Sequence, residues 1–339
     1  MDAASSPRGR GRVDAASSPR GRVQHLKKHL FSLVLDDGAP INAMHFHDPA
    51  NEHALLMSNE LAVRFAELCE TFQVRGKFSV LPMPCCLGRM DAKLNRVPDV
   101  HLWEFVSIVR KSIAPRFDIT PEILTHLSAF NLGTGGFHHV YEDEWVARAS
   151  VAEMTDYMAL AFEILDNVGL PATGMTSPWN TGCHNEADYA EAIGAAQWRV
   201  HRRMATWYFL HVLDKGPAWA PKVMRRDPAT GQVVVSVPAT TTDVFWRTQQ
   251  PMSPTPADAL ATAMAGVNLL LSEDGRAGRI PELMEQGVPV AILTHWPSMN
   301  SDGTHAGLRG LEALFRRIGD VYGDAVEWVT CGELAARFA

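Results

Sequence analysis

The ten residues Phe31-Ser32-Leu33-Val34-Leu35-Asp36-Asp37-Gly38-Ala39-Pro40 narrow the folds open to this chain more than any other segment. The first five make an apolar run of strand length, which reads as a buried strand. It stops abruptly at two adjacent carboxylates, a glycine and, two residues on, a proline. Burying an unpaired charge costs several kcal/mol. The aspartates therefore belong at the strand end, facing water, a cation or a substrate. Alternation along a strand sends neighbouring side chains to opposite sides. One aspartate can then ligate a cation while the other acts as a general base. The plainer alternative is a turn pair ahead of Gly-x-Pro.

The same grammar recurs along the chain. Strands are expected at Gly76–Pro82, Glu122–His126, Thr173–Ser177, Thr206–Leu213, Gln232–Val237, Pro289–Trp296 and Ala325–Cys331. Helical periodicity falls between them, at 58–73 (with Ser58 as N-cap), 98–112, 151–168, 185–195, 257–272 and 306–318. Strands recur at intervals of roughly 30–50 residues, the cadence of parallel strands joined by helical crossovers. The strand ends carry Asp36-Asp37, Pro82–Cys85, His126, Ser177–Trp179, His201, Asp243 and His295. Carboxylates and imidazoles gathered at strand ends suit an α/β barrel, whose active site lies at the carboxyl ends of its strands. An open sheet would also place polar groups there. However, the Gly-x-Gly-x-x-Gly fingerprint of dinucleotide-binding sheets is missing after the first strand.

Bulk properties exclude several classes. The net charge of −7 offers no basic surface for nucleic acid. No apolar run approaches the ~20 residues of a membrane span. The five cysteines (Cys69, Cys85, Cys86, Cys183, Cys331) are odd in number and lack zinc-finger spacing, so no disulfide framework is expected and a reducing cytoplasm is the default. Residues 1–24 repeat Asp-Ala-Ala-Ser-Ser-Pro-Arg-Gly-Arg and read as a disordered tail ahead of one barrel domain at 25–339. Homo-oligomerisation is left open.

Two histidines share the context Ile-Leu-Thr-His, His126 and His295. A lone histidine after an apolar strand is commonly structural. Two in one context, beside an aspartate pair and the loop histidines His45 and His47, point to a shared site. Aspartate with imidazole ligands suits one divalent ion, Zn²⁺ first, with a position open to water. Trp179 reads equally as a sugar platform or a loop anchor.

These residues resemble the polysaccharide deacetylase (NodB-like) carbohydrate esterase superfamily, in a divergent branch. Leu35-Asp36-Asp37-Gly38 is similar to its first motif, which implies Asp36 as general base and Asp37 as metal ligand. Leu124-Thr125-His126 is similar to the strand carrying the first metal histidine. Thr176-Ser177-Pro178-Trp179 is similar to a groove-wall motif, without the family's arginine. Leu293-Thr294-His295 is similar to the late motif whose histidine is the general acid. The resemblance implies a distorted (β/α)7 barrel and metal-dependent removal of acetyl groups from a carbohydrate or another acylated substrate. The second metal histidine, expected four residues after the first, is Phe130 here. The third ligand is then expected from the first loop, His47 or else His45, with His45, Trp179 and Trp296 as substrate contacts and backbone amides near Pro82–Cys86 or the metal stabilising the oxyanion. The alternative is a catalytically silent, carbohydrate-binding barrel. A two-carboxylate glycosidase fits less well, because histidines dominate the strand ends.

Overall fold

The computed structural model describes residues 28–339, so the duplicated segment at 1–24 lies outside it. The strands are β1 (His29–Gly38), β2 (Gly76–Val80), β3 (Phe117–Pro121), β4 (Ser128–Phe130), β5 (Phe137–Tyr141), β6 (Met175–Thr176), β7 (Ala205–Phe209), β8 (Lys222–Arg226), β9 (Val233–Ser236), β10 (Val290–His295) and β11 (Val326–Trp328). The helices are α1 (Met44–His47), α2 (Asn59–Thr71), α3 (Asp99–Ile108), α4 (Glu142–Val146), α5 (Val151–Asn167), α6 (Glu186–His201), α7 (Pro256–Leu270), α8 (Arg279–Gln286), α9 (Trp296–Asn300), α10 (Ala306–Tyr322) and α11 (Cys331–Phe338). The result is a mixed α/β structure with parallel sheets and helical crossovers.

One sheet runs β10-β1-β2-β3, with β11 also paired to β1, and all its pairs are parallel. The other runs β6-β7-β9-β8, parallel except for β8 at its edge. β4 and β5 form a separate antiparallel hairpin. β1 is buried from Phe31 to Gly38, which is why it reads as a continuous apolar run without alternation. Phe65 of α2 packs against Phe78, Phe117 and Trp296, tying helix to sheet with ring separations of 5.9, 5.6 and 5.8 Å. Ser58 caps α2 as expected, and Ser150 with Glu153 forms a full capping box on α5. No helix among the described residues is long and apolar enough to cross a membrane.

Three expectations are corrected. The third strand is Phe117–Pro121, and Glu122–His126 follows it as a turn in which Ile123 and His126 adopt left-handed backbone angles. His201 ends helix α6 rather than a strand, where it bonds Asp166 and Gln197. Most consequentially, Asp36 and Asp37 do not point to opposite sides. Asp37 sits at φ 66°, and the β1–β2 register slips between Leu35 and Gly38. This bulge breaks the period of two, so both carboxylates line one cavity. Gly38 is needed at the slip, because a Cβ there would come within 2.2 Å of the Ser79 carbonyl oxygen.

Candidate metal and catalytic centre

A cavity of about 490 Å³ opens where β1 and β10 end. Asp36, Asp37, His47, Glu122, His126, Trp179 and His295 all line it. Asp36 of β1 and His295 of β10 are register partners on adjacent strands, which sets these side chains side by side.

Asp37, Glu122 and His126 are all buried, and one donor atom from each lies within 4.8 Å of the others. His126 Nδ1 is 3.7 Å from Asp37 Oδ1, and its Nε2 is 3.9 Å from Glu122 Oε1. Glu122 Oε2 accepts hydrogen bonds from the Asp37 backbone N–H at 2.7 Å and the Ser79 hydroxyl at 2.6 Å. Asp37 Oδ1, though buried, has no hydrogen-bond partner among the described residues. Burial first, and the neighbouring Glu122 second, hold the Asp37 carboxyl well above its ordinary range. Burial also keeps the His126 imidazole neutral, lowering it to about 3 with help from His295. An orphaned buried carboxylate oxygen, a second carboxylate and a neutral imidazole fit a divalent cation.

Glu122, a donor that the strand pattern hides, lies in the same five-residue segment as His126. A spacing of four does separate two potential donors of this cluster, running back from His126 to Glu122 rather than forward to Phe130. His47 lines the same cavity. It is absent from the close cluster of three, and its Nε2 lies 3.1 Å from His126 Nδ1. Burial lowers His47 to about 3, so it too is neutral.

The His126 turn is held from below by Glu142, the first residue of α4. Its Oε1 accepts from the Leu124 and Thr125 backbone N–H groups and from the Tyr157 hydroxyl, and its Oε2 accepts from the His126 N–H. A carboxamide at this position offers only one acceptor oxygen and turns an N–H toward another N–H. Glu142→Gln is therefore expected to destabilise the fold by about 2–4 kcal/mol. Urea unfolding checks this, and a variant as stable as the parent would show that the clasp is dispensable.

Asp36 is only 3% exposed and forms an ion pair with Lys77 of β2, which is itself fully buried. Lys77 also donates to Thr176 at 2.6 Å and lies 5.0 Å from the Phe209 ring centre. Burial raises Asp36 to about 6, with Lys77 pulling the other way. Lys77 thus places a cation beside Asp36. On the other wall, Asp243 Oδ2 is 2.9 Å from His295 Nδ1 and also accepts from Ser298 at 2.6 Å. Burial works against a charge on His295, but the Asp243 hydrogen bond and the charges of Asp37 and Asp36 outweigh it and lift His295 to about 10.

Trp179 stacks on His126, with ring centres 4.3 Å apart and planes inclined by 24°, and remains 44% exposed. Tyr141 of the β4–β5 hairpin meets its edge at 5.7 Å and is 51% exposed. Two predicted substrate contacts lie elsewhere. His45 turns away, with Nδ1 2.7 Å from the His53 carbonyl oxygen. Trp296 is core, with its indole donating to Ala39 and its rings against Phe65 and Phe78. The amides near Pro82–Cys86 are also taken. Met83 and Cys85 donate to Leu124 and Thr125, Cys86 donates to Met83, and the prolines have no N–H.

No family model matches the chain, and no curated protein matches it in sequence. Solved structures do match in fold. A Mycobacterium smegmatis protein assigned to the polysaccharide deacetylases aligns at 14% identity and a TM-score of 0.52, covering 92% of this chain and 91% of that one. A mutant of a CE4 family pseudoenzyme with restored enzymatic activity aligns at 13% identity and a TM-score of 0.40, covering 92% and 69%. A 4-α-glucanotransferase from Thermococcus litoralis aligns at 13% identity and 0.44, covering 93% and 41%. The first of these carries the fold assignment. In its fold, this chain is similar to that protein assigned to the polysaccharide deacetylases.

Proposed function

We propose that this protein is a metal-dependent hydrolase that removes acyl groups, acetyl first, from a carbohydrate. The observation that carries the reading is the joint placement of Asp37, Glu122 and His126 with Asp36 and His295 in one cavity. Asp37, Glu122 and His126 would hold the cation, zinc being favoured by a mixed carboxylate–imidazole set. When bound, it would polarise the acyl carbonyl and acidify a water.

The chain's own groups supply the proton transfers. Asp36 is held by Lys77 and takes the proton from the attacking water. His295 is oriented and kept charged by Asp243, and donates a proton to the departing amine or alkoxide. Trp179 lines the cavity, and Tyr141 packs edge-on against it; both are partly exposed, offering apolar surface where a sugar ring can lie. The same reading takes the two sheets as walls of a distorted barrel. A bridge between Glu122 and Thr176 links β3 to β6, and the Thr240 N–H donates to Ala291 of β10, in support of it.

The test is release of acetate from N-acetylated and O-acetylated oligosaccharides by the metal-loaded protein. His295→Gln should lower kcat by about 10²–10⁴ while leaving metal content unchanged. A loaded protein that hydrolyses none of these substrates, or a His295→Gln variant at full rate, would contradict the reading.

A further inference from the structure

A second cavity, of about 470 Å³, lies at the opposite, amino-terminal ends of the strands. Phe117 and Ala205, the first residues of β3 and β7, line it, and Gly332 of α11 closes one side. It shares no lining residue with the cavity around Asp36 and His295.

Three buried polar atoms on its wall, Trp207 Nε1, Arg203 Nε and Thr173 Oγ1, have no partner among the described residues. Trp207 is 2% exposed, yet its indole Nε1 has no partner among the described residues. The Arg203 Nε is likewise buried and unpartnered among them. A buried donor left unmade costs about 1–3 kcal/mol, so two N–H donors on one wall call for an acceptor from outside the chain. Gly332 keeps that wall open. A Cβ on it would lie 3.3 Å from Trp207 Nε1 and 2.8 Å from Asp118 Oδ2.

The charges set the ligand's sign. Arg75 and Glu333 satisfy each other through two contacts of 2.8 Å. Arg116 leans toward Glu70 at 3.6 Å, and Asp118 Oδ2 accepts from the Gly332 N–H at 2.6 Å. Arg203 remains, with its Nε unpartnered, as a cation on the same cavity lining as the free indole donor. We infer that this cavity binds a small carboxylic acid with an apolar body. The carboxylate accepts from Arg203 and the Trp207 indole, and the body rests on Phe117 and Val235. The Asp118 carboxylate nearby favours a singly charged anion over a doubly charged phosphate.

The experiment is a titration of the full chain, with isotope-labelled tryptophan, with sodium benzoate, read by NMR. The Trp207 indole resonance is identified by its loss in Trp207→Phe. Benzoate at millimolar concentrations should move it saturably, while sodium chloride and inorganic phosphate at equal ionic strength should not. Arg203→Gln should weaken the effect about tenfold or more, the worth of one charge-assisted hydrogen bond, and Gly332→Ala should do so by filling the cradle. No saturable shift, an equal response to phosphate or chloride, or binding undiminished in both variants would overturn the inference. The readout is independent of hydrolysis, so its failure leaves the active-site reading standing.

Discussion

Replacing Lys77 with methionine is expected to cost about 3–5 kcal/mol of stability, because it strands a buried carboxylate. Among the described residues Lys77 is the cation that hydrogen-bonds Asp36, and His295 adds a weaker attraction. The pair lies between β1 and β2, and Lys77 also donates to Thr176 and lies over the Phe209 ring. Without the lysine, Asp36 must either take up a proton or remain charged in an apolar wall, and both outcomes remove a working base. Lys77→Met should therefore lose turnover along with stability. Adding Asp36→Asn should restore part of the stability and none of the turnover, since the lost pair is counted once rather than twice. Equilibrium unfolding of the two single variants and the double variant measures this. Strictly additive losses would show that the pair is not energetically coupled.

Asp36→Asn alone is the second large effect. Asparagine keeps the shape of the side chain and cannot accept the water's proton. Loss of a positioned general base costs about 10²–10⁴ in rate. Metal content should stay at the parental level, because Asp36 is not one of the three clustered donors. Measuring kcat and bound metal on the same sample, well below the melting temperature, separates the base from the ligands. A variant that turns over normally would remove Asp36 from the mechanism. One that loses its metal would make Asp36 a ligand.

Much of the centre is legible in the sequence because its residues sit at the ends of apolar runs. The Asp36-Asp37 pair stands out since no core tolerates two neighbouring unpaired carboxylates, and His126 and His295 stand out through their shared Ile-Leu-Thr-His. What stays hidden depends on backbone turns and through-space neighbours. Glu122 reads as the first residue of a strand until the chain is seen to leave β3 at Pro121 and turn through left-handed angles at Ile123 and His126. The direction of the bulge at Asp37 cannot be read from a period-two pattern. Lys77 lies in a strand buried on both faces, where alternation carries no signal, and its partner is 41 residues away. Trp296 follows an informative strand end and looks functional, yet the short helix α9 turns it into the core.

The most direct test is the metal content of the purified protein, by elemental analysis, beside Glu122→Gln and His126→Ala. A metal site built on Asp37, Glu122 and His126 predicts about one divalent ion per folded chain, falling to background in both variants, since losing a ligand from a three-residue site removes most of its affinity. Absence of metal from the parent protein after incubation with zinc, or full retention in both variants, would contradict it.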